Sequence, residues 1–323
     1  MLAFIIKRTI NAIFVMLSVT FLAFIIFQFV GDPVRQMLNE QATQAQRDAL
    51  RDKLGLNDPF LVQFGKFVGN AVQGDFGVSF RNQQDVMTMI ADRFPATFEL
   101  VLVATFISIV VGMPLGVLTA IRRRSWYAES LQFVSIIGIS LPSFVVGIGL
   151  ILVFSVWLGW FPAFGRGDTV DIGWWSTGLL TSSGRMALFL PALSLSLFQI
   201  TLVMRLVRAE MLEVLRADFI KFARARGIPA RVVHFRHALR NTLMPVVTMT
   251  AMQFGGLIAF ALVTETVFQW PGMGLLFIQA VTFVDVPIMA AYLCVVAFIF
   301  VFLNAVVDMT YAIIDPRLRG SEQ

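Results

Sequence analysis

"RADFIKFARARGIPARVVHFRHALRNTLMP", residues Arg216 to Pro245, lies between two of the most apolar stretches of a 323-residue chain. These thirty residues hold seven Lys or Arg and one Asp, broken by a single Gly-x-Pro. What flanks this basic segment decides the fold. Apolar residues make up 58% of the chain and charged residues 14%, and the mean hydropathy is +0.80. A hydrocarbon core about 30 Å thick needs roughly 20 apolar helical residues. Six uncharged runs are long enough to cross: Ile10 to Val30, Leu100 to Ile121, Leu131 to Leu158, Leu188 to Met204, Leu243 to Thr264, and Ile288 to Val307 with an extension to Ile314.

The expected fold is therefore an all-α integral membrane protein with six transmembrane helices. The expected organisation is an N-terminal segment with the first span over 1–30, an external helical segment over 31–95, and the five remaining spans over 96–323 with a cytoplasmic loop at 208–242. Lys7 and Arg8 precede the first span as in a secretory signal, but it ends in Val30-Gly31-Asp32 rather than a small-residue cleavage site, so it reads as a retained anchor. With the N-terminus inside, the cytoplasmic segments hold 16 of the 25 Lys and Arg, nine of them between Arg205 and Arg240. Seven of the nine outside fall in the one long segment before Pro95, and long segments cross largely regardless of charge. Both termini are expected to be cytoplasmic.

That topology accounts for the sequence pI near 9.9, and no nucleic-acid partner is expected. Cys294 is the single cysteine and reads as a packing residue of the last span. His234 and His237 sit among Arg231, Arg236 and Arg240, which repel a metal ion, and no Ser/His/Asp or Cys/His set is visible. Neither a catalytic nor a metal site is expected.

A charge near the bilayer midplane is costly and marks ion coupling. No span carries one at its middle: Glu99 and Glu265 sit at outer ends, Asp308 near an inner end, and Gln199 and Gln253 are the strongly polar mid-span residues. The driving energy must enter elsewhere, yet the chain has no G-x-x-x-x-G-K-[ST] phosphate loop of its own.

The opening stretch offers a way in. Asp218 to Ala225 has helix-forming composition, with Phe219, Phe222, Ala223 and Arg226 at helical spacing. Gly227 supplies a stop by tolerating positive φ, and Pro229 suits the start of a second helix that would put Val232, Phe235, Leu239 and Leu243 on one face. Helix, sharp corner and helix make a lever rigidly continuous with the fifth span. Periodicity alone leaves open a basic amphipathic loop lying on anionic lipid.

At these residues the chain resembles the permease subunits of binding-protein-dependent ABC importers, in particular the dipeptide/oligopeptide/nickel branch. Against the general pattern E-A-A-x3-G-x9-I-x-L-P, Gly227 and Ala223 match, Lys221 and Phe222 stand at the Glu and first Ala, and Pro245 comes five residues late. "GDPV" (from Gly31), "LGLNDPFLVQF" (from Leu54), "GDFGVSF" (from Gly74), "ETVFQWPGMGLL" (from Glu265), "DVPIM" (from Asp285) and "DMTYAIIDPRLRG" (from Asp308) resemble that branch in the same order.

The resemblance implies a type I importer permease in a bacterial inner membrane. It implies a second homologous permease, two cytoplasmic ATP-binding subunits that hold ATP and Mg, an external solute-binding protein, surrounding membrane lipid, and no cofactor in this chain. Asp218, Phe219, Lys221, Phe222, Ala223, Arg224, Ala225, Arg226 and Gly227 would then couple to an ATPase. Gln199, Gln253 and Glu265 are candidates for lining the pathway, although a structural hydrogen bond suits Glu265 better. Arg47, Asp48, Arg51 and Asp52 are candidates for docking the solute-binding protein. A secondary transporter or channel acting without ATPase subunits would need an intramembrane ion site or an inverted repeat, and neither is visible.

Overall fold

The computed structural model describes residues 2–29, 34, 43–53 and 57–314. Of the matching stretches, residues 31–33, 54–56 and 315–320 lie outside the described residues. The helices are α1 (Leu2–Phe29), α2 (Gln44–Lys53), α3 (Phe60–Val72), α4 (Val86–Ile121), α5 (Trp126–Ser140) and α6 (Ser143–Leu150), which runs on as a π-helical turn, Ile151–Trp157. A hairpin of β1 (Val170–Ile172) and β2 (Trp175–Thr177) follows, then α7 (Ser182–Val214), α8 (Asp218–Ala225), α9 (Ala230–Val267), α10 (Met273–Thr282) and α11 (Val286–Ile314).

Among the described residues, α1, α4, α7, α9 and α11 are long and apolar enough to cross a membrane. The third expected span, Leu131 to Leu158, is not one helix. It is divided between Ser140 and Ser143, where Pro142 (φ −59°, ψ 139°) caps α6. Proline lacks an amide donor and drives the preceding residue out of the α region, so the chain must leave the helix before Pro142 and restart after it. Pro191 and Pro245, in contrast, lie inside continuous helices.

The chain forms two compact units, residues 1–95 with 271–323 and residues 96–270. In the first, α1 packs along α11, with Ala23, Ala290 and Cys294 at the centre of a small apolar cluster. Helix α3 lays its apolar face on α1: the Phe24 ring lies 5.2 Å from Phe60, 5.5 Å from Phe64 and 5.7 Å from Phe67. Gly74, at φ +76°, turns the chain just beyond that helix. Asp285, at the entrance to α11, accepts a 2.5 Å hydrogen bond from Ser79 Oγ and further bonds from the backbone amides of Phe80 and Arg81. Two of the matching stretches, 206 residues apart, are tied together there.

In the second unit α7 is the enclosed element, packed by α9, α6 and α5. Gly112 and Gly116 of α4 also press on it. A Cβ at Gly112 would stand 2.9 Å from Ile200 O, and one at Gly116 would stand 2.6 Å from Val207 Cβ and 2.7 Å from Met204 O. This is the close approach of helix backbones that small residues four apart permit within a membrane.

Candidate functional site

The site is the corner between α7 and α9. Helix α7 ends as Arg216 N and Ala217 N donate to Glu213 O and Val214 O, and Ala217 adopts an extended conformation (φ −62°, ψ 150°). Asp218 then opens α8, where a carboxylate favours the positive end of the helix dipole. Its Oδ1 accepts from Lys221 Nζ at 2.8 Å, although both side chains are largely solvent-exposed and such pairs add little stability.

The C-terminus of α8 is closed more firmly. Gly227 N donates to Arg224 O at 2.9 Å, and Ile228 N donates to Ala223 O at 3.2 Å. Those two bonds, with Gly227 at φ +75°, form a Schellman motif. Ile228 completes it by packing on the same apolar cluster as Ala223. The stop expected at Gly227 is thus a specific backbone device, and Pro229 stands immediately before Ala230 at the start of α9.

The short helix has two unlike faces. Ile220 and Ala223 are buried in a cluster with Val117, Ala120, Val203, Val207, Met211, Val233, Ala238 and Val246. That cluster gathers α4, α7, α8 and α9, so α8 is fixed to the helices beside it. Phe219 and Phe222, in contrast, are 48% and 64% exposed, with the Arg226 guanidinium 5.7 Å above the Phe222 ring. Lys221, Arg224, Ala225 and Arg226 share that open surface. The result is an apolar and cationic knob on a rigid mount.

The following helix departs from the expected face. Val232 and Phe235 are exposed, whereas Val233, Ala238 and Thr242 are buried. Residues Val233–Ala238 form a π-helical turn, and its wider winding places residues five apart on one side. Leu239 and Leu243 remain partly buried.

The other predicted residues are placed as follows. Glu265 is fully buried and its Oε1 accepts from Thr97 Oγ1 at 2.6 Å. Gln199 is also buried, and its Nε2 has no hydrogen-bond partner among the described residues. Gln253 is half-buried. In α2, Asp48, Arg51 and Asp52 are exposed and Arg47 is half-buried, with Gln44 Nε2 donating to Asp48 Oδ1 and Asn57 Nδ2 to Asp52 Oδ1. The residues expected to couple share α8, while Gln199, Gln253 and Glu265 lie on α7 and α9, and Arg47, Asp48, Arg51 and Asp52 lie on α2.

A polar cluster in the second unit was missed in the sequence. Glu99 accepts from Arg166 Nη2 at 2.9 Å, from Trp175 Nε1 at 3.1 Å and from Gly178 N at 3.3 Å. Arg166 Nη2 also donates to Ser176 O at 2.6 Å. The hairpin thus folds over a buried ion pair, turning at Gly173 (φ +64°). The glycines at 165 and 167 around Arg166, both at positive φ, were the available sign of a tightly built loop.

Comparison with known proteins follows the same lines. Residues 112–320 match the family described as binding-protein-dependent transport system inner membrane component, and residues 1–101 match the N-terminal region of such membrane components. The chain is 35% identical over 332 residues to a dipeptide transport system permease protein of Alkalihalophilus pseudofirmus, covering 99% of this chain and 100% of that one. It is 39% identical to an oligopeptide transport system permease protein of Bacillus subtilis, covering 98% and 99%. Among solved structures, a chain of the MetNI methionine ABC transporter in inward facing conformations is similar, with a TM-score of 0.57 and 16% identity over 71% of this chain and 97% of that chain. At that identity the likeness is one of fold.

Proposed function

This chain belongs to the family of binding-protein-dependent transport system inner membrane components, and from that premise we propose that it forms half of a peptide pathway driven by ATP hydrolysis in partner subunits. It pairs with a second related permease, two cytoplasmic ATPases that hold ATP and Mg, and an external protein that delivers the solute. Peptides are the proposed cargo because the similar permeases are described as dipeptide and oligopeptide transporters.

The observation that carries this reading is the form of α8. Ile220 and Ala223 root it in the helices, and Phe219 and Phe222 stand free. Exposed aromatic rings on a fixed helix, ringed by Lys221, Arg224 and Arg226, suit insertion into a cleft of a soluble subunit. Movement of that subunit then acts on α7 and α9 through the shared cluster. Glu265 serves as a structural anchor for the α9 end, and Arg47, Asp48, Arg51 and Asp52 offer the external protein a polar surface. Purification of the chain from its native membrane tests the proposal: two ATPase subunits and a second permease should accompany it, and recovery of the chain alone with full solute uptake would overturn it.

A further inference from the structure

Arg205 and Arg208 stand near the inner end of α7 and line a cavity of about 290 Å³ with Gln132 and Ser135 of α5. Ile136, Ala209 and Leu212 supply its apolar wall. Neither arginine makes an ion pair or hydrogen bond among the described residues, and Arg208 Nη1 is sealed from solvent with no acceptor. No carboxylate lines the cavity; Glu210 and Glu213, the acids closest along α7, are absent from its walls. Ser135 donates its hydroxyl to Gln132 O, and Gln132 Nε2 donates to Ala128 O, leaving a second amide proton available.

An ordinary surface arginine at the cytoplasmic boundary extends its charge into water. Here two arginines line one hollow, Arg205 exposed and Arg208 half-buried, and the buried Arg208 Nη1 without an acceptor is a deficit that a ligand can remove. The hollow is several times larger than the share of one water, about 30 Å³. Guanidinium forks match oxyanions with two or more oxygens, and phosphate oxygens most of all. We propose that this cavity between α5 and α7 binds a phosphate-bearing anion, held by Arg205 and Arg208 with Gln132 as a further donor. The phosphate comes from an anionic lipid headgroup of the inner leaflet or from free phosphate in the cytoplasm.

The test uses the assembled complex and arginine modification by phenylglyoxal, mapped by mass spectrometry. Two settings separate the sources: lipid-free detergent with inorganic phosphate against chloride at equal ionic strength, and nanodiscs with or without phosphatidylglycerol. Modification of Arg205 and Arg208 should slow by roughly tenfold or more, the weight of one charge-assisted contact, while Arg216, outside the cavity, reacts unchanged. Slowing by inorganic phosphate assigns the site to the free ion; slowing by phosphatidylglycerol alone assigns it to the headgroup. No slowing in either setting, or equal slowing at Arg216, overturns the proposal. A variant carrying Arg205→Gln and Arg208→Gln should also lose the rise in melting temperature that the effective probe gives the wild type, and a rise that persists in the variant overturns it too.

Discussion

Arg166 Nη2 lies 2.9 Å from Glu99 Oε2, a contact between residues 67 apart in sequence whose side chains are 9% and 3% exposed. Breaking a buried pair from one side strands a charge and destabilises by about 3–5 kcal/mol, while an apolar pair of similar volume is often tolerated. Arg166→Met should therefore lower the melting temperature of the detergent-purified protein sharply. Combining it with Glu99→Leu should restore part of the loss, and a double variant less stable than Arg166→Met would contradict the pairing.

Gly227 has open space where a Cβ would go, so its requirement is conformational rather than steric. A β-branched residue resists φ near +75° and loses the Schellman cap, a strain of about 1–3 kcal/mol. Gly227→Val is expected to uncouple ATP hydrolysis from uptake in membrane vesicles. Gly227→Asn, which visits that region more readily, should retain more transport.

The two faces of α8 separate stability from assembly. Ile220→Ala removes fully buried apolar volume and should cost about 2–5 kcal/mol of stability. Phe222→Ala should leave melting of the isolated subunit nearly unchanged yet weaken retention of the ATPase subunits in pull-down. Equal effects of both substitutions in both measurements would count against a docking face.

Charge reversal at Arg47, Asp48, Arg51 and Asp52 should reduce stimulation of ATP hydrolysis by the external solute-binding protein and leave basal hydrolysis alone. The comparison is made in reconstituted proteoliposomes, and full stimulation in the fourfold variant sinks the assignment.

Asp85 caps the start of α4: its Oδ2 accepts from Thr88 N and Thr88 Oγ1, both at 2.7 Å. The Thr88 amide, then its hydroxyl, hold the carboxyl below its ordinary value. A depressed pKa in the folded state means the cap contributes above the unfolded carboxylate value, about 3.9, and is lost as pH falls through the folded value. The carboxyl is almost wholly open to solvent, so the effect is small. The Asp85→Ala melting temperature should approach that of wild type as pH is lowered through this range; a constant gap down to the acid limit would rule the cap out.

Local chemistry was the readable part of this chain. Gly227 and Pro229 announce the corner because positive φ and a missing amide act on their own neighbours, and the apolar runs announce the spans by length. The run Leu131 to Leu158 counted as one span by length, and whether its Pro142 bends or divides the helix depends on what packs around it. The face of α9 was misplaced because an α period carried on from Val232 cannot register a π turn, which brings Val233 and Ala238 inward instead. Arg166 gave no hint of its partner, since Glu99 reaches it only once the hairpin has folded over. The bond from Ser79 to Asp285 is equally distant in sequence, although each belongs to a stretch that stood out by resemblance.

The crowding at Gly116, where even a methyl group would strike Val207 and Met204 O, constrains how the importer moves. Two helices meshed backbone to backbone cannot slide or roll past one another without collision, so α4 and α7 travel as a single beam. Opening and closing are then taken up at looser joints than this one, and the interruption before Pro142 is one joint already cut.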